Sequence, residues 1–270
     1  KLEAAGRSAR RGSRVDDPTA YHAESVLYRS PEARFDSLLT LHESADIGAK
    51  VNAAMRDIEQ HNPTLAGVLP KTFNLFTSTL LKELLKKMSE IPATLDYDAF
   101  GRIYEYFLGA FAMTEGQGGG EFYTPSSIVK LLTEVIEPFH GRILDPACGT
   151  GGFFLGAYDW LTREGATLDR KQQKFLKHQT FFGNEIVAAT RRLCLMNLAV
   201  HGLDRDLGQS YGRTCTNDQH KTLRADDSLA NPPFNISDWD GDKLTDGPRW
   251  VHGIPPKGNA NFAWLQHMLA

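Results

Sequence analysis

Three short runs of this sequence carry residue types suited to chemistry rather than packing. The first is Arg142-Ile143-Leu144-Asp145-Pro146-Ala147-Cys148-Gly149-Thr150-Gly151-Gly152-Phe153. A short apolar run ends in an acid, enters a loop with three glycines, then runs into Phe153, Phe154 and Leu155. That is the pattern of a buried parallel strand, a tight turn and a helix start. Each glycine lets the backbone approach a bound molecule with no side chain in the way, and a helix start offers free N–H groups. The second run, Asn231-Pro232-Pro233-Phe234, directly follows a short strand at Ala225–Ala230. Its prolines stiffen a loop that carries an amide and an aromatic ring. The third, Glu121-Phe122-Tyr123-Thr124-Pro125-Ser126, stands ahead of the glycine loop. Taken singly, these are a βα turn, a proline turn, and a helix cap beside core aromatics. Their joint presence sharpens the reading.

The elements around them fall into two patterns. Ahead of about residue 115 the apolar spacing is helical. Ser30-Pro31 suits a helix start, with Phe35, Leu38, Leu39 and Leu41 following. Asp46 opens a helix with Ile47, Val51, Met55 and Ile58 on one face, and Asn62-Pro63 ends it. Leu80, Leu81, Leu84, Leu85 and Met88 form a stripe closed by Pro92. Phe100, Ile103, Tyr104, Phe107, Leu108 and Phe111 form another. Thr114–Gly120 reads as a linker or lid. From Phe122 onward strands and helices alternate, which implies a parallel sheet. Thr124-Pro125 caps a helix with Ile128, Leu131, Leu132 and Val135. Strands are expected at Arg142–Leu144, at Thr180–Gly183 and at Ala225–Ala230. Helices are expected over Gly152–Leu161 and Val187–His201, the latter burying Leu193, Met196 and Leu198. The expected organisation is an irregular basic tail over 1–29, a helical domain over 30–115, and an α/β domain over 116–270. The start at Lys1 and the helix-like run that stops at Ala270 both look cut.

Composition narrows the class. With 41% apolar residues and no run long enough to span a bilayer, no membrane association is expected, and no secretory signal is visible. Cys148, Cys194 and Cys215 lack paired metal spacing and are odd in number, which favours a reduced, cytoplasmic setting. The nine histidines show no ligand spacing, so no metal is expected. The formal net charge of −3 is not that of a protein gripping nucleic acid unaided. Arg7, Arg10, Arg11 and Arg14 sit in a stretch that reads as a solvated tail.

Together the three runs, with Asn231–Trp239 and Pro255-Pro256-Lys257-Gly258-Asn259-Ala260-Asn261-Phe262-Ala263-Trp264, resemble the adenine-specific DNA methyltransferases, and within them the modification subunit of type I restriction–modification systems. The resemblance runs from about Pro31 to the last residue. It implies a Rossmann-like fold for the α/β part, binding S-adenosylmethionine and methylating the N6 amine of adenine in DNA. Residues matching Thr150, Gly151 and Gly152, beside Gly149, would contact the cofactor, and Asp145 would hold its ammonium. Glu185, after the second strand, would accept the ribose hydroxyls. Glu121, Phe122, Tyr123, Thr124, Pro125 and Ser126 would close over the methionine end, with the aromatics near the sulfonium. The Asn231 side-chain carbonyl and the Pro232 backbone carbonyl would accept the target amine's hydrogens. Pro233 would stiffen the loop, and Phe234 would stack on an adenine swung out of the duplex.

One position departs from the family pattern. Where relatives commonly place an acid after their third strand, ahead of the run Asn217-Asp218-Gln219-His220, this chain reads Gly212-Arg213-Thr214-Cys215. Arg213 cannot accept the adenine amine's hydrogen bond, and Asp218 takes that role only with a shifted loop. The resemblance also implies DNA, a specificity subunit and a restriction subunit as partners, with the helical domain against the DNA and the partner. Two other readings stay open: a non-catalytic assembly fragment docking to a specificity subunit, and a methyltransferase acting on protein glutamine or on RNA.

Overall fold

A computed structural model describes residues 15–23, 26–42, 44–91, 103, 106–110, 123–138, 141–164 and 181–270. The chain divides into two compact units, Lys1–Gly101 with Ala199–Gly202, and Arg102–Leu198 with Leu203–Ala270.

The first unit is helical. Pro18–His22 forms α1 inside the stretch expected to be irregular, because Asp17 accepts a hydrogen bond from Thr19 N at 3.0 Å and Pro18 suits the first turn. Ser30-Pro31 starts only a single 3-10 turn, Pro31–Ala33, without a side-chain cap; the extended Arg34 interrupts it, and α2 spans Phe35–Leu39. In α3, Ile47–His61, Asp46 caps by accepting from Ala49 N at 2.9 Å. Ile47 and Val51 are buried with Ala33, Leu38, Ala54, Leu81 and Leu85, and Met55 and Ile58 pack at the edge. In α4, Ser78–Ser89, capped by Thr77, the apolar stripe splits: Leu81 and Leu85 enter the core while Leu80, Leu84 and Met88 stay about half exposed. Pro92 lies outside the described residues, as do the arginines of the tail, the Thr114–Gly120 linker and most of the helix expected around Phe100–Phe111.

The second unit is built on four short parallel strands. They are β1 (Ile143–Asp145), β2 (Phe181–Gly183), β3 (Arg205–Asp206) and β4 (Asp227–Ser228), in the order β3-β2-β1-β4. Ile143 stands opposite Phe181 on one side and Asp227 on the other, and Asp145 stands opposite Gly183. Parallel strands need crossover connections: α5 (Ser126–Ile136) precedes β1, α6 (Gly152–Glu164) lies between β1 and β2, α7 (Ala188–Val200) lies between β2 and β3, and α8 (Asn261–Leu269) follows β4. Phe153, Phe154, Leu155 and Ala157 of α6 close over Ile143 and Phe181, with Val129, Cys194 and Leu198 completing the core.

Two faces differ from the apolar periodicity. In α5 the buried side carries Val129 and Thr133, whereas Ile128, Leu131 and Val135 are exposed. The reason lies in α6: a Cβ on Gly156 would sit 2.3 Å from Val129 Cγ1, so the helices meet at that glycine. In α7 Cys194 and Leu198 are buried, while Leu193 and Met196 are only partly so. A separate aromatic core gathers Trp239, Trp250, Cys215, Ala260 and Ala263, with the two indoles edge-to-face at 6.1 Å. Among the described residues no helix is long and apolar enough to cross a membrane.

Candidate active site

Since β1 and β2 are parallel neighbours, Asp145 and the residues after Gly183 emerge at the same edge of the sheet. Asn184 N donates to Asp145 O at 3.1 Å, and Cys148 N donates to Asn184 O at 3.0 Å, so the two strand exits are zipped together. Glu185 then turns its carboxylate onto the backbone. Its Oε2 accepts from Gly149 N at 3.0 Å and its Oε1 from Val187 N at 2.7 Å. Asp145 Oδ1 accepts from Ala147 N at 3.0 Å.

Both carboxylates are buried. Burial pushes the Asp145 carboxyl up to about 8; the Ala147 N–H works against that rise and the Glu185 charge adds to it. Burial also raises Glu185, against the N–H groups of Val187, Gly149 and Ile186. No Lys or Arg among the described residues forms an ion pair with either acid.

The glycine loop has the shape its sequence requires. Gly149 (φ 53°) and Gly151 (φ 88°) are left-handed, and a Cβ on Gly151 would lie 2.9 Å from Cys194 Sγ. Thr150 is buried with its carbonyl accepting from Asn197 Nδ2 at 2.9 Å, and Gly152 opens α6. A cavity of about 430 Å³ has Tyr123, Thr124, Ser126, Thr150, Gly152 and Arg163 on its wall, a size within the range of small-molecule sites. Most of that wall is α5 and α6, through Val129, Thr133, Glu134, Leu155, Gly156 and Trp160, so the cavity runs between those helices and reaches the glycine loop at Thr150 and Gly152. Asp145, Gly149 and Glu185 are not on that wall; they form the adjoining hydrogen-bonded cluster at the strand ends.

Asn231 arrives at the same edge because β4 lies beside β1, with Leu229 N donating to Leu144 O at 3.0 Å. Its Nδ2 is 3.4 Å from Thr124 Oγ1, which brings the second and third runs together across 107 positions of sequence. Pro232 and Pro233 are partly buried and Phe234 is 70% exposed. Pro125 precedes α5, which begins at Ser126. Glu121 and Phe122 lie outside the described residues.

Three site residues were not singled out from the sequence. Asn184 Nδ2 donates to Thr214 Oγ1 at 2.8 Å and to Gly212 O at 3.2 Å, and Thr214 Oγ1 donates to Pro146 O. Gly212 N donates to Glu185 O at 2.9 Å. The Gly212–Thr214 segment is thus tied to both strand exits, and Asn197 anchors the glycine loop from α7. A usable signal was present: Asn184, between Gly183 and Glu185, is a polar residue directly after the apolar strand Phe181–Gly183. Arg213, read from the sequence as replacing an acid, donates from Nη1 to Asp238 O at 2.6 Å and lies within 4 Å of the Asp238 and Asp240 carboxylates. Asp218 accepts from His220 N at 2.8 Å.

The donor set suits S-adenosylmethionine. Two buried carboxylates without a cationic partner accept and do not donate when ionised, matching a ligand that brings an ammonium and a ribose diol. The left-handed loop keeps Cβ atoms out of the approach.

Residues 95–270 match the family described as N-6 DNA methylase, and residues 2–88 match the HsdM N-terminal domain. The methylase subunit of the type I restriction enzyme HindI of Haemophilus influenzae is 43% identical over 172 residues, 64% of this chain and 37% of that one. The MjaIX methylase subunit of Methanocaldococcus jannaschii is 36% identical over 269 residues, 94% of this chain and 46% of that one. The chain therefore spans less than half the length of these relatives. A type I restriction–modification methyltransferase subunit from Streptococcus thermophilus superposes with a TM-score of 0.72 at 24% identity, covering 99% of this chain and 59% of that one, and shows the same fold.

Proposed function

This chain belongs to the N-6 DNA methylase family, and from that premise we propose that it is part of a type I modification subunit that methylates the N6 amine of adenine in DNA. The observation that carries this reading is the Asn231–Thr124 contact, which holds the amide of the Asn-Pro-Pro-Phe loop against the wall of the cavity. When bound, S-adenosylmethionine supplies a methyl group activated on a sulfonium. Asp145 takes the ammonium and Glu185 the ribose hydroxyls, while the glycine loop excludes water from the methionine end. The adenine amine is a poor nucleophile because its lone pair is delocalised into the ring. The Asn231 Oδ1 and Pro232 carbonyls accept its two hydrogens, localise the lone pair and stabilise the charge that develops on nitrogen. Phe234, already exposed, stacks on the flipped base.

The subunit works in the cytoplasm with a specificity subunit that reads the DNA sequence and a restriction subunit that cuts. The charge of −3 supports borrowed DNA affinity. Among its described residues, the three cysteines are buried, free thiols, in keeping with a reducing compartment.

The test is transfer of labelled methyl from S-adenosylmethionine by the complete subunit with its specificity subunit. Label at adenine N6 is expected, lost in Asn231→Ala while cofactor affinity stays near its original value. Methylation retained within tenfold, about 1.4 kcal/mol on the barrier, would remove Asn231 from its role. Label on protein glutamine or RNA would replace the substrate, and no transfer with intact docking would leave an assembly module. Exchanging the specificity subunit is expected to redirect methylation to another sequence.

A further inference from the structure

The run Pro255–Trp264 has no task in the mechanism above, yet it touches the catalytic loop at its far end. Directly after Phe234, Asn235 adopts a left-handed backbone (φ 57°), a conformation that asparagine tolerates better than most residues. Three asparagines close around that turn. Asn235 N donates to Asn261 Oδ1 at 2.9 Å. Asn235 Oδ1 accepts from Asn261 Nδ2 at 3.1 Å and from Asn259 Nδ2 at 3.2 Å. Asn259 Oδ1 in turn accepts from Asn261 N at 2.9 Å, and Ala260 N donates to Ile236 O at 2.9 Å. The anchor side of this cluster is buried. Ala260 and Ala263 are buried in the aromatic core, and Trp239 Nε1 donates to Pro256 O at 3.2 Å.

We propose that Asn259 and Asn261 are positioning residues that hold the Asn231–Phe234 loop in its working shape through the side chain and left-handed turn of Asn235. The loop is then pinned at both ends, by Thr124 at Asn231 and by the asparagine cluster at Asn235, with two prolines between the pins. Such bracing places the Pro232 carbonyl and leaves the Phe234 ring presented to solvent, 70% exposed, where a base can reach it. None of the three asparagines touches cofactor or target in this scheme, so their effect falls on turnover and base stacking, not on cofactor binding. A cluster that merely started α8 would act on folding alone.

This rests on the methyltransferase reading. The experiment therefore uses the complete modification complex and first establishes adenine methylation by the unaltered protein, whose absence would reject that reading rather than this one. Asn261→Ala and Asn235→Gly are then compared. The glycine keeps the left-handed turn and deletes the side chain, which separates the hydrogen bonds from the backbone shape. At saturating cofactor both variants are expected to lose tenfold or more in kcat per folded molecule, with S-adenosylmethionine Kd changed less than twofold. The fluorescence of 2-aminopurine at the target position should change to the same degree in both. Because the cluster acts as one unit, the double variant is expected to be no worse than either single one. A kcat within twofold of the unaltered complex in either variant would overturn the proposal. So would a loss accounted for wholly by the unfolded fraction in thermal melts. The fluorescence readout decides independently of any change in stability.

Discussion

The carboxylate of Glu185 accepts a hydrogen bond from the backbone N–H of Gly149, 3.0 Å away. The residue assigned to the ribose is therefore also a brace of the glycine loop, and its second oxygen caps the chain behind it through Val187 N. Neither bond uses up a carboxylate oxygen, since each has a further lone pair. Glu185 is thus set at a fixed distance from the loop before any ligand arrives, so that orienting it costs no further side-chain entropy on binding.

Replacing Glu185 by Gln keeps the volume, removes the charge and sets an NH2 where one of the two oxygens accepts a backbone N–H. Hydrogen bonds to a charged acceptor contribute roughly 1.5–3 kcal/mol, so S-adenosylmethionine affinity is expected to fall about tenfold or more. A calorimetric titration checks it. Unchanged affinity would leave Glu185 as a loop brace only.

Asp145 makes a prediction in pH. Its folded-state carboxyl is raised by burial to about 8 from an ordinary 3.8. Between those values the unfolded chain releases a proton that the folded chain keeps, so stability falls as pH rises through that window. Glu185, also raised, contributes with the same sign. A ligand ammonium beside Asp145 selects the ionised form, so cofactor affinity is expected to rise with pH towards and just past about 8, with a proton released on binding. Melting temperatures and calorimetry in buffers of different ionisation enthalpy read the two trends. Asp145→Asn should flatten the affinity trend and leave in the stability trend only the part that comes from Glu185, and cofactor affinity flat in pH in the unaltered protein would remove the ammonium from Asp145.

In the helical unit the corresponding node is Asn62, only 2% exposed. Its Oδ1 accepts from Tyr28 N at 2.9 Å, and its Nδ2 donates to Tyr28 O at 2.7 Å and Ile58 O at 2.6 Å. Asn62→Ala leaves the Tyr28 N–H and carbonyl buried without those partners, which costs on the order of 1–3 kcal/mol. Denaturant unfolding is expected to show a lowered midpoint with an unchanged slope. A midpoint unchanged within error would mean that water replaces the amide.

Much of this was legible in the sequence because it depends on local grammar. Gly149–Gly152 had to be a tight strand-to-helix turn, and Asp46 and Asn62 had to bound a helix. What escaped was set by tertiary contact. Which side of α5 is buried follows from the notch at Gly156, 27 residues beyond Val129. Apolar periodicity alone favoured Ile128, Leu131 and Val135. The Asn184–Thr214 bond and the asparagine cluster join residues 24 to 30 positions apart through polar side chains, which leave no periodic trace. Arg213 could be seen to break the family's pattern, but its engagement by Asp238 and Asp240 needed the folded chain.

The contact between Asn231 Nδ2 and Thr124 Oγ1, at 3.4 Å, turns the nitrogen of the amide proposed for catalysis towards Thr124. With its nitrogen directed at Thr124, the amide turns its carbonyl oxygen the other way; with the amide reversed, an N–H would meet a target amine that also donates. Thr124→Val keeps the shape and removes the acceptor. A neutral hydrogen bond contributes about 1 kcal/mol, so kcat at saturating cofactor is expected to drop roughly fivefold. Thr124→Ser, which retains the hydroxyl, should stay near the original rate. Thr124 also lines the cavity, so cofactor affinity is measured in parallel and a change in KM alone is not counted. A valine variant with full kcat would show that Asn231 is oriented by other contacts and that the hydroxyl serves the cofactor alone.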